Sequence, residues 1–170
     1  MHAALEAIQS SALSLWLTSS GSSVAANSKQ VLETLHFIGF ALQIGAIMAL
    51  SLRLVGLGRG VSIDALARPV FSIAWLAFAV VAATGALQFV PIATEVFYRP
   101  SFRAKLAVLL VALATLVWLQ ASARRGAVAW DAAASVPRTV KLVAALSLLL
   151  WPTVIVVARL MYAFVQMAGR

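Results

Sequence analysis

The chain has 170 residues, 63% of them hydrophobic and 11% charged, with a net charge of +8 and no cysteine. At a mean hydropathy of +1.00 it is too apolar for a soluble domain, whose apolar fraction is about half, and reads as an integral membrane protein. The missing cysteine excludes disulfides, thiolate metal sites, thiol catalysis and thioether-linked haem. The 13 Lys and Arg fall at the ends of apolar runs instead of clustering on one soluble face, so they read as membrane flanks and not as a nucleic-acid surface.

Leu5, Ile8, Ala12, Leu15 and Trp16 share a helical face, which predicts an amphipathic helix over 3–18, too short and polar to span and suited to the headgroup layer. No basic start with an apolar core and a small-residue cleavage site precedes it, so a removable signal peptide is not expected. The Ser/Gly/Ala/Asn stretch 18–28 reads as a loop, with Asn27 or Ser28 capping the next helix.

Four spans follow, at about 31–55, 70–90, 105–123 and 139–164, each near the roughly 20 apolar residues that cross a bilayer. Pro69 is expected in the first turn of the second, and Pro152 predicts a kink in the fourth. The fold expected is all-α, one polytopic four-helix membrane bundle with a short interfacial helix ahead of it.

Four spans put both termini on one side, designated A, and the loops 56–68 and 124–138 on the other, designated B. Side B has Arg53, Arg59, Arg68, Arg124, Arg125, Arg138 and Lys141, against Lys29, Arg99, Arg103, Lys105, Arg159 and Arg170 on side A. This small excess predicts that side B is cytoplasmic.

Because span direction alternates, Glu33, His36, Thr84, Gln88, Arg159, Tyr162, Gln166 and a connecting loop with Glu95, Tyr98, Arg99, Arg103 and Lys105 all fall at side A. An ionisable ring within a span is costly in lipid and is expected to face the bundle or a wet cavity. His36 shares a face with Gly39, Phe40 and Gln43, and the glycine leaves space for something flat or for a neighbouring helix.

Three readings of His36 stand open. It hydrogen-bonds another helix; it is an axial ligand of b-type haem; or it serves copper, a quinone or proton transfer. In the haem reading His36, Gly39, Gln43 and Gln88 line the group, while Arg99, Arg103 and Arg159 meet its propionates. His2 is a poor second ligand, so a second His36 across a dimer, a partner's histidine, or Met161 or Met167 must complete the iron; Met48 lies too far along the same helix. Arg159 also reads as a snorkelling anchor or as a partner of Glu33 or Glu95. Gln43, Gln88 and Gln120 read equally as interhelical hydrogen-bonders, and no nucleotide loop, zinc motif or Ser/His/Asp set is present.

His36-x-x-Gly39, Gly45, Leu52-Arg53-Leu54, Gly56, Arg68, Pro69, Thr84-Gly85, Phe102-Arg103 and Lys105 together resemble a family of small bacterial four-helix membrane proteins of unassigned function, distantly similar to the membrane domain of CopD-type copper-resistance proteins. The resemblance covers nearly the whole chain and implies a multi-pass protein of the bacterial inner membrane; with side B cytoplasmic, the termini are expected to be periplasmic. Relatives often have an acidic residue before the Leu-Arg pair and a histidine ending the third span; this chain has Ser51 and Gln120 there.

The expected function is therefore a small membrane subunit that binds haem b, or copper, through His36 and supports electron transfer in a complex or homo-oligomer. The alternative is a non-catalytic structural or assembly subunit with His36 as an interhelical hydrogen-bonder. Neither reading makes it an enzyme on its own, and the partners expected are lipid and protein, not nucleic acid.

Overall fold

The computed structural model describes the backbone of residues 1–19 and 23–168 and the side chains of 1–19 and 27–159. Two short helices, α1 (His2–Gln9) and α2 (Ala12–Thr18), lead into α3 (Ser23–Val55) and α4 (Ile63–Phe89). A 3₁₀ turn (Val90–Ile92) and α5 (Ala93–Phe97) follow, then α6 (Pro100–Ala132) and α7 (Arg138–Ala168). The four long helices are apolar enough to cross a membrane. The protein is an all-α, multi-pass membrane helical bundle.

The chief contacts run from α3 to α4 and α7, and from α6 to α4 and α7, closing a ring of four. Inside it Leu50, Leu54, Ile63, Leu116, Leu119, Trp151 and Val154 are at most 2% exposed. Only about a third of each span is buried within the chain. The remaining apolar surface, including Phe37, Leu76, Leu110, Leu142 and Leu149, faces outward, as lipid requires.

Several boundaries differ from expectation, each for a local reason. The 3–18 helix is two helices, because Ser11 leaves helical geometry and accepts the Ser14 N–H to cap α2. α3 is already helical at Ser23, so Asn27 and Ser28 lie within it and the expected loop does not reach Ser28. α4 starts at Ile63, not at Pro69: Ser62 caps it by accepting the Ala65 N–H, Asp64 supplies an acidic first turn, and Pro69 sits inside the helix. α6 starts on Pro100 at its first position. Its 33 residues rise about 50 Å, so it outruns the hydrocarbon and carries Arg124, Arg125, Trp130 and Asp131 past the apolar run at side B.

At side A, α1 docks on the connection between α4 and α6. Gln9 Oε1 accepts the Thr94 N–H at 2.9 Å and its hydroxyl as well, and the His2 ring stands edge-on to Tyr98. Phe89 and Phe102 stack at 5.4 Å, joining the end of α4 to the start of α6.

Candidate functional site

His36 meets α4 directly: its Nδ1 lies 2.9 Å from Thr84 Oγ1. The Thr84 hydroxyl has one hydrogen, and the Val80 carbonyl, 2.7 Å away, is its nearest acceptor. The hydroxyl therefore accepts from the ring, which assigns the proton of neutral His36 to Nδ1 and leaves the lone pair on Nε2.

Two glycines make the contact possible. A Cβ on Gly85 would stand 3.1 Å from His36 Cε1, so the absent side chain is the seat of the ring. A Cβ on Gly39 would stand 3.0 Å from Val81 Cγ2 and 3.3 Å from the Ala77 carbonyl oxygen, so the space beside the histidine is taken by α4, the close approach that glycine permits between membrane helices. The pair Thr84-Gly85 thus holds and admits the imidazole.

Gln88 joins the same contact, donating from Nε2 to the carbonyls of Thr84 at 3.2 Å and Leu32 at 3.4 Å. Lys105, on α6, is half-buried. The other expected residues do not gather. Arg99 donates from Nε to its own loop at Glu95 O, 3.2 Å away. Arg103 and Arg159 are exposed, and neither forms an ion pair among the described residues. The side chains of Met161, Tyr162, Gln166 and Met167 lie outside the described residues.

Gln43, about two turns further in on α3 than His36, is fully buried, and neither its Nε2 nor its Oε1 has a partner among the described residues. Ser51 Oγ, Ser147 Oγ and Trp151 Nε1 share that condition. Gln43 is therefore not part of the hydrogen-bonded histidine contact. Gln120 does find a partner, accepting from Trp75 Nε1 at 2.9 Å between α6 and α4.

His36 offers a single nitrogen, its α4 side is filled, and no group of three or more His, Cys, Asp or Glu lies together among the described residues. Nε2 is the atom through which a group shared with another chain would be reached.

Side B carries a second polar constellation that the sequence left unread. Asp131, near the end of α6, accepts the Ile63 N–H on Oδ1 at 2.9 Å, and the Ser62 hydroxyl at 2.9 Å and the Asp64 N–H at 3.0 Å on Oδ2. It thereby caps α4 from another helix. Arg53 pairs with Asp131 at 3.6 Å and also donates to the carbonyls of Val61 and Arg59. Gly56 and Gly58, at φ +117° and +64°, supply the left-handed backbone that turns the loop back toward Arg53. The available signal was the only carboxylate in the 124–138 segment, placed opposite a Ser-x-Asp helix start.

Compared with family models, curated proteins and solved structures, the chain matches none.

Proposed function

We propose that the chain is a structural or assembly subunit of a larger membrane complex, or of a homo-oligomer, and that His36 is an interhelical hydrogen-bonder. The observation that carries this reading is the seating of the ring: Nδ1 on Thr84, Cε1 against Gly85, and Gly39 closed by Val81. A histidine so enclosed fixes the register of α3 on α4, an interaction worth on the order of 1 kcal/mol in a membrane. The apolar outer faces, with only about a third of each span buried inside the chain, suit a protein whose work is to pack against lipid and other spans. In this reading it sits in the bacterial inner membrane, side B toward the cytoplasm and the termini periplasmic.

A second reading, b-type haem or copper bound through His36 and serving electron transfer, is favoured by one observation. The Nδ1–H is donated within the protein and Nε2 carries the lone pair, the arrangement common to metal-ligating histidines. It requires a second ligand, from another chain or from Met161 or Met167. The visible absorption spectrum of protein purified from its native membrane separates the two. A colourless, metal-free preparation in which His36→Asn still co-purifies with the same partner supports the structural reading. A Soret band that His36→Ala abolishes overturns it.

A further inference from the structure

At the end of the bundle away from His36, the turns 56–62 and 133–137 wall a cavity of about 490 Å³, within the range of small-molecule sites. Arg53, Arg59 and Lys141 line it against a single carboxylate, Asp131. That carboxylate is spent: each oxygen accepts from the start of α4, and its charge pairs with Arg53. Arg59 is exposed and hydrogen-bonds only through Nε, to the Gly56 carbonyl, so its terminal nitrogens have no partner among the described residues. Lys141 is half-buried and has neither an ion pair nor a side-chain hydrogen bond among the described residues. Two positive charges thus line a cavity at a membrane boundary with no carboxylate left to balance them among the described residues, beside Ser135 and Trp130.

We propose that this cavity binds a phosphate-bearing anion, either the headgroup of an anionic phospholipid or a free phosphate compound. The guanidinium fork and the ammonium match phosphate oxygens, and basic pockets at the ends of spans are where such headgroups settle. The α4 N-terminus is not the recognition element, because Asp131 already occupies it. The site is independent of the role of His36.

The test uses the full chain in detergent, with lipid adducts counted by native mass spectrometry. Phosphatidylglycerol and phosphatidylcholine are offered at equal concentration to the parent, to R59Q/K141Q and to R124Q/R125Q. Both variants remove two positive charges from side B, but only the first removes them from the cavity, and the exposure of Arg124 and Arg125 makes the second a charge-matched control. Circular dichroism checks that helicity is kept, and K141M alone serves if the double variant does not fold.

One basic side chain's lipid attraction for each of two cations predicts a preference of about thirtyfold for phosphatidylglycerol. It is expected in the parent and in R124Q/R125Q, and lost in R59Q/K141Q. Inorganic phosphate that displaces the lipid assigns the site to phosphate itself; a lipid adduct that phosphate leaves untouched assigns it to the headgroup. Equal uptake of the two lipids with no phosphate binding overturns the proposal, as does an equal loss of preference in both charge variants.

Discussion

Replacing Asp131 by alanine removes at once the acceptor of two backbone N–H groups and of the Ser62 hydroxyl at the start of α4. A hydrogen bond to a charged acceptor contributes about 1.5–3 kcal/mol and a lost helix cap costs about 0.5–2 kcal/mol. The Asp131 side chain is 22% exposed, so water recovers part of each. Arg53 loses its ion-pair partner but keeps its two carbonyl acceptors. The expected loss is about 2–4 kcal/mol. Asp131→Asn, which keeps one acceptor oxygen but turns an amide donor toward the other donors, should lose about half of that. The assay is equilibrium unfolding in mixed micelles followed by far-ultraviolet circular dichroism, with Asp64→Ala as control. Asp64 pairs only with the largely exposed Arg68 side chain and should change stability by less than about 0.5 kcal/mol. An Asp131→Ala protein within that same margin of the parent would refute the idea that α6 caps α4.

Three further outcomes are expected from the same assay. A double-mutant cycle of His36→Ala and Thr84→Val should return a coupling of about 0.6–1.7 kcal/mol; zero coupling would mean that the ring and the hydroxyl do not hold the two helices. Gln43→Leu, which removes two buried amide atoms that lack partners, should raise stability by about 1–2 kcal/mol, and a clear loss would show that the amide is satisfied by something other than this chain. Gly39→Val, forced against Val81 and the Ala77 carbonyl, should cost about 1–3 kcal/mol. Gly45→Ala, where an added Cβ meets nothing within 4 Å, should cost none, and equal effects at the two glycines would remove the packing argument.

Hydropathy made the four spans legible, and the alternation of their direction brought His36, Thr84 and Gln88 to one end. Depth in the membrane is readable in this way because it follows from counting along each helix. Rotation about the helix axis is not, since it depends on which neighbour each face meets. Arg103 and Arg159 have the depth of the histidine contact and yet lie exposed, while Thr84, weighed only as one polar residue among several, is its direct partner. Helix ends were misplaced where a polar cap or a proline, not an apolar run, sets them, as at Ser62 and Pro100. Asp131 stayed unread because its partners are about 68 residues earlier in the chain, and nothing local marks a carboxylate as another helix's cap.

The docking of α1 sets an order of assembly. Gln9 leaves the ribosome long before Thr94 exists, so the first helix has no place to bind until two spans have been inserted and the chain has turned toward a third. During synthesis its apolar residues, Leu5 among them, must wait at the bilayer surface. The early segment then closes over a bundle end that is made much later, so the step that completes side A runs against the direction of translation, and a bulky N-terminal fusion should delay that step without hindering insertion of the spans.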